Sequence, residues 1–237
     1  MRTKLRFLAL ALVLCASAFS TGAPSASAQT FEVLLGFPVP HGDPLAGLVA
    51  DPSGILYGTT QNGGGYVRGS VFILVPDGSG GFTRQNLHSF ASVDGENLRA
   101  ALVFGSDGNL YGTAHDGGGA GYGTIFRLSP SGAFLRIHDF ADGGGQHPSG
   151  LILASDGNFY GVTSGGGDHD AGTVFRLDAA EQVTVLHSFD PTTEGSAPVG
   201  ELLESGGFLY GTTSAGGAND KGPIFRMDLA GTPATLH

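Results

Sequence analysis

The sequence predicts an all-β fold, a β-propeller-like array of four-stranded antiparallel blades, and three observations lead there. First, one phrase is written four times: "LYGTTQNGGGYVRGSVF" from Leu56, "LYGTAHDGGGAGYGTIF" from Leu110, "FYGVTSGGGDHDAGTVF" from Phe159 and "LYGTTSAGGANDKGPIF" from Leu209. Second, the apolar runs between these phrases are short, rich in Val, Ile, Phe, Tyr and Thr, and bounded by Gly, Asp and Asn, which is strand-and-turn chemistry. Third, 42 glycines in 237 residues are too many for helices and suit tight turns.

The chain opens on a leader. Arg2, Lys4 and Arg6 precede an apolar stretch from Leu5 to Phe19, and "SASA" ends at Ala28 with small residues at the −3 and −1 positions. This is the layout of a secretory signal peptide over residues 1–28, cut between Ala28 and Gln29. The apolar run is shorter than the roughly 20 residues a membrane-crossing helix needs, and no transmembrane segment is expected in the mature chain. Cys15, the only cysteine, lies in the leader after Leu14, where a lipid-anchor cysteine would want a small residue before it. The mature chain then has no thiol for disulfides, metal sites or nucleophilic catalysis.

Cutting after Ala28 leaves 8 cations against 21 carboxylates, a net charge of −13. Such a chain is a poor ligand for nucleic acid, whose phosphates demand Lys and Arg. The expected location is outside the cytoplasm: secreted, periplasmic or on the cell surface.

The repeat domain occupies 29–237. Tyr57, Tyr111, Tyr160 and Tyr210 are spaced 54, 49 and 50 apart, and Phe72, Phe126, Phe175 and Phe225 follow each by 15 residues. His88, His138, His187 and His237 keep the same step in "NLHSF", "RIHDF", "VLHSF" and a terminal "TLH". Self-similarity at this period marks a repeat architecture. The units run approximately over 44–90, 97–140, 148–189 and 198–237, after an N-terminal strand at 31–37 that contains "VLLGF" (Val33 to Phe37).

Each unit reads as four strands. In the third copy these are "SGLILAS", a "DGN" turn, "FYGVTS", a glycine-rich gap, "GTVFRL", a polar turn and "QVTVLHSF". A unit of about 50 residues cannot bury both faces alone, but it can when stacked on its copies, as propeller blades are. A β-solenoid is the competing architecture, though its coils are usually shorter and carry fewer hairpin turns. The recurring Tyr and Phe are expected to fill the space between blades. The glycine after each Tyr (Gly58, Gly112, Gly161, Gly211) is expected to admit a close neighbour.

The pattern "LYGTT…GG…GTVF" followed by "LHSF" resembles the GloVer-type tandem repeat of exported bacterial proteins, the choice-of-anchor tandem repeat family. The resemblance covers nearly all of the mature chain. It implies an extracellular or surface-attached repeat protein, in many cases with a C-terminal anchor, and no known reaction. No anchor is read in the residues up to His237, where the motif is cut short, and further repeats are expected to follow it. The N-terminal strand and the final cut-off "TLH" leave one strand surplus for a four-blade ring. The expectation is an incomplete or open propeller.

Naming the strands of a unit a to d from the axis outward, the b–c and d–a loops share one face of the disc. They are polar, and loops on a rigid scaffold are where binding usually resides. The candidate ligand-binding residues on that face are His41, Asp43, Asp94, Glu96, His115, Asp116, His147, Asp168, His169, Asp170 and Asp220. Asp168, His169 and Asp170 form the densest run. Oxygen-rich loops suit calcium, yet no EF-hand loop and no tandem calcium-binding nonapeptide is present, and no cofactor is expected. The four-fold histidine lies on the outermost strand, which favours a structural role over a ligand ring. No glycine run is followed by the Lys and Ser/Thr of a phosphate loop, and no G-x-S-x-G, H-E-x-x-H or C-x-x-C occurs.

Two functions remain. One is a non-enzymatic exported module that presents loops to a glycan, a surface or a protein partner. The other is an extracellular propeller enzyme, a hydrolase or lyase, acting on polysaccharide. An enzyme would need its acid and base loops to differ sharply from the other copies, and the similar polarity of all four favours binding. No catalytic residue is assigned.

Overall fold

The computed structural model describes residues 42–217 and 220–234 together with Gly36. The expected signal peptide, most of the expected strand at 31–37, His41 and His237 lie outside the described residues.

Sixteen strands and no helix make up the described chain, in four separate antiparallel sheets whose strand order follows the sequence. The first sheet contains β1 (Val49–Ala50), β2 (Leu56–Thr60), β3 (Ser70–Pro76) and β4 (Phe82–Ser89). The second contains β5 (Val103–Phe104), β6 (Leu110–Ala114), β7 (Thr124–Leu128) and β8 (Phe134–Asp139). The third contains β9 (Gln146–Leu153), β10 (Phe159–Gly165), β11 (Thr173–Leu177) and β12 (Val183–Ser188). The fourth contains β13 (Ser196–Ser205), β14 (Phe208–Ala215), β15 (Ile224–Asp228) and β16 (Pro233–Ala234). Each is a four-stranded meander of the kind that forms a propeller blade.

Three cores join the four blades. Tyr57, Val71 and Phe90 of the first pack with Leu102, Leu110 and Phe126 of the second. Tyr111, Ile125 and Phe140 pack with Leu151, Phe159 and Phe175, and Tyr160, Val174 and Phe189 pack with Leu202, Leu209 and Met227. The repeating Tyr therefore faces the following blade and the repeating Phe the preceding one. Among the described residues no fourth core joins the last blade to the first, so the array is open. The consequence is visible in one register: Val71, Ile125 and Val174 are fully buried, whereas their equivalent Ile224 is 64% exposed.

The glycine after each Tyr has a specific reason. Gly58, Gly112, Gly161 and Gly211 pair across the sheet with Phe72, Phe126, Phe175 and Phe225. A Cβ on Gly161 would stand 2.5 Å from Phe175 Cζ, and the other three glycines meet the same ring at 2.3–2.6 Å. The ring lies over the glycine, and the missing side chain is the space it fills.

The a–b turns of the first three blades do more than reverse the chain. Asp107 and Asp156 accept hydrogen bonds from the hydroxyls of Tyr111 and Tyr160 at 3.0 and 2.8 Å, and Asp51 accepts from Tyr57 at 3.2 Å. Burial together with the Asp156 bond pushes the Tyr160 pKa up to about 12.

Candidate functional site

The inner ends of all four repeats converge on an axial pocket of about 540 Å³. Leu45–Gly47, Arg99–Ala101, Pro148–Gly150 and Val199–Glu201 form its wall, with Thr113 and Ser164 from the second strands and His115 from the loop after β6. The wall is mostly small residues, because four inner strands can approach an axis only if their side chains are short. Arg99, His115 and Glu201 are its ionisable groups.

Next to this pocket the b–c and d–a loops interlock, as their placement on one face predicts. Glu96 and Asp116 pair as an antiparallel bridge, and Gly118 N donates to Ser92 O at 2.7 Å. The second loop of one blade is thereby tied to the segment that leads into the same blade.

The structure distributes the sequence candidates unevenly. Asp43 accepts a bond from the Asn62 amide at 3.2 Å. Asp94 accepts from Ala91 N at 3.1 Å and stands 3.6 Å from His88 Nε2. Glu96 pairs with Arg68 and accepts from Ser92 Oγ. Asp170 and Asp220 each accept from a glycine N–H four residues earlier, at 2.9 and 3.1 Å, and so brace their own loops. Asp168 and His169 are exposed beside Asp170, and this sequence-dense run does not close on a common point with the others. His41 lies outside the described residues.

His115, Asp116 and His147 do meet. The Nδ1 atoms of both histidines lie 2.9 Å from the same Asp116 Oδ1, and the two rings stack at 4.8 Å. The Asn97 amide donates to Asp116 Oδ2, and Arg99 Nη1 stands 3.5 Å from His115 Nε2. Among the described residues this is the one group of three His, Cys, Asp or Glu side chains placed to hold a metal, with donor atoms within 4.8 Å of one another. Burial pushes the His115 pKa down, against the pull of Asp116, so the ring is neutral at pH 7. Burial opposes ionisation of Asp116, but the bonds from Asn97 and His115 outweigh it and hold its carboxyl below the ordinary range.

The repeat scaffold explains how they meet. His147 has φ 57°, and its equivalents Asn97 and Ala197 have φ 59° and 50°. At each of the three, the backbone N–H is donated to the b–c loop of the preceding blade, for His147 to Tyr122 O at 2.8 Å. The left-handed backbone is thus a property of the repeat, and the histidine is what this one junction adds. Where the second blade carries His115 and Asp116, the others carry Gln61 and Asn62, Ser164 and Gly165, and Ser214 and Ala215. The sequence signal for the trio was this departure from the repeat at two places that face one junction.

The rim histidines His88, His138 and His187 make packing and hydrogen-bond contacts around the outer strands. His88 stacks on Phe134 at 4.1 Å, and His187 Nε2 bonds Glu194 Oε2 at 2.9 Å. Each also meets the Phe two residues on edge-to-face, as does His138 with Phe140.

Several solved structures share the architecture. A puromycin hydrolase superposes with a TM-score of 0.52 at 17% identity, over 84% of this chain and 33% of that one. An exo-β-1,3-galactanase from Clostridium thermocellum gives 0.51 at 11% identity, over 83% and 48%. A proposed 6-phosphogluconolactonase from Bacteroides uniformis gives 0.53 at 15% identity, over 82% and 56%. The chain therefore spans from a third to just over half the length of these structures, and at such identities the likeness shows a propeller-type fold alone. No curated protein matches the sequence. The model of the Gloeobacter/Verrucomicrobia repeat, however, matches residues 23–225, and the chain belongs to that family.

Proposed function

We propose that the chain is an exported, non-enzymatic repeat module that binds a glycan in its axial pocket and on the loop face around it. The observation that carries this reading is the convergence of all four repeats on one pocket of about 540 Å³. Such a volume lies in the range of small-ligand sites, which usually carry few polar groups. Here Arg99 and Glu201 supply opposite charges for hydroxyl groups, and backbone groups of the inner strands supply the rest. The leader-like residues 1–28 support export, and the acidic mature chain disfavours nucleic acid as a partner.

The pocket wall also favours binding over hydrolysis. Glycoside cleavage by the common route takes two carboxyl groups flanking the bond, and Glu201 is the one carboxylate among the described lining residues. A glycan array probed with the purified protein, beside a polysaccharide-degradation assay, tests both readings. Retention of a defined glycan without release of sugar supports the module. Arg99→Ala and Glu201→Gln should each weaken binding about tenfold, the value of a hydrogen bond to a charged group. Release of reducing ends would replace this reading with the enzymatic one.

A further inference from the structure

We infer that His115, Asp116 and His147 form a binding site for a divalent transition metal of the zinc class, at the junction of the second and third repeats. The site stands apart from the glycan reading, because its geometry is complete without a sugar.

The donor set decides the metal. Two imidazole nitrogens and one carboxylate oxygen suit zinc, copper, nickel or cobalt. Calcium wants six to eight oxygens, and this junction gathers one carboxylate. The spacing is within side-chain reach of a metal shell. Zinc bonds nitrogen and oxygen at about 2.0–2.2 Å, which separates ligands in a tetrahedron by about 3.3 Å. The two Nδ1 atoms lie 2.9 Å from Asp116 Oδ1 and all three donors lie within 4.8 Å of one another, so the side chains must draw together by up to about 1.5 Å to match that edge. Three protein donors leave a fourth position for water. His115 also belongs to the wall of the axial pocket.

The surrounding groups are arranged for this. Asn97 donates to Asp116 Oδ2 and leaves Oδ1 for the metal. The His147 backbone is pinned by its bond to Tyr122 O, and Tyr122 meets the ring edge-to-face at 6.2 Å. One group opposes the ion. Arg99 Nη1 stands 3.5 Å from His115 Nε2, which accepts from it when Nδ1 carries the proton. A metal on Nδ1 shifts that proton to Nε2, so two donors then face each other and the guanidinium must turn away. The repeat supplies the control: the equivalent junction between the third and fourth blades holds Ser164, Gly165 and Ala197, with no metal donor of this kind.

The test is calorimetric titration of Zn²⁺ into chelator-stripped, untagged protein, with the visible absorption of Co²⁺ as a second readout. The expected result is one ion per chain and the intense bands of four-coordinate cobalt. His147→Asn keeps a residue that tolerates φ 57°, and it should weaken binding about a hundredfold, as should His115→Ala. Losing even a partner that only orients a ligand costs ten- to a hundredfold. Arg99→Ala should tighten binding, and His187→Ala should leave it unchanged. Absence of stoichiometric Zn²⁺ binding, or six-coordinate cobalt spectra, overturns the site. So does undiminished affinity in a folded His115→Ala/His147→Asn variant. Because the wild-type spectrum is itself decisive, a variant that fails to fold leaves the proposal exposed to refutation.

Discussion

Replacing Gly161 with Ala isolates the contact that defines the repeat. Its backbone is not left-handed, so alanine is conformationally acceptable and the effect is one of packing. The added methyl would lie 2.5 Å from Phe175 Cζ and 3.0 Å from Gly150 O. Real Cβ atoms do not approach that closely, so something must move. The ring is fully buried beneath Phe140, 5.2 Å away at 64°, and cannot swing out. Inserting a methylene into a filled core costs about 1–3 kcal/mol. For a domain of this size that lowers Tm by about 2–4 °C per kcal/mol. Removing the ring alone, with Phe175→Ala, should cost about 3–5 kcal/mol. In the double variant the methyl enters the vacated space, so the losses should fall short of additive by about the whole cost of Gly161→Ala. Urea or thermal unfolding followed by circular dichroism reads all four corners of the cycle. If Gly161→Ala is neutral, or if the two losses simply add, the ring does not rest on this glycine and the account of the repeat fails.

Four further outcomes follow from the same structure. Tyr160→Phe removes the hydroxyl that bonds Asp156 and should cost about 1 kcal/mol in chemical denaturation, whereas Tyr210→Phe, after a turn with no aspartate, should cost less. Val174→Thr places a hydroxyl in a closed core and should lose about 1–3 kcal/mol, while Ile224→Thr, at an exposed position of the same register, should change stability by less than about 0.5 kcal/mol. His187→Ala removes the bond to Glu194 and should lower Tm slightly while leaving glycan retention intact; loss of retention at unchanged Tm would refute the structural role of the rim histidines. Burial opposes ionisation of Asp156, but its bonds from Asn158 and Tyr160 prevail and hold its carboxyl below the ordinary aspartate value of about 3.9. Its stabilisation is therefore complete above that value and is lost as pH falls through the lower folded value; Asp156→Asn should flatten acid unfolding in that window, and an unchanged acid limb would refute the linkage.

Much of the fold was legible because it is local. The strands of the third unit, "FYGVTS" and "GTVFRL" among them, fall on β10 and β11, since alternation and turn chemistry act within a few residues. The four-fold phrase gave the period, and the period gave the stacked sheets. What the letters did not show was the bulge that recurs before His88, His138 and His187. The pairing slips between Val71 and Phe72, Ile125 and Phe126, and Val174 and Phe175, which leaves Leu87, Ile137 and Leu186 as extra residues. Strict alternation would send either that residue or the later Phe to solvent. The bulge lets both Leu186 and Phe189 pack against the following blade.

The candidate site divides the same way. The sequence alone determined that polar loops gather on one face and that His115, Asp116 and His147 sit in them. It ranked the run at Asp168 to Asp170 higher, because proximity along the chain is all that a sequence displays. Only the tertiary structure decided that Asp116 and His147, 31 residues apart, share one oxygen while Asp170 turns back to Gly166. The reason is physical. Strand and turn follow from neighbouring residues, but a junction between blades depends on how one sheet is set against the next. That setting is fixed by Tyr, Phe and Leu packing far from the loops it aligns.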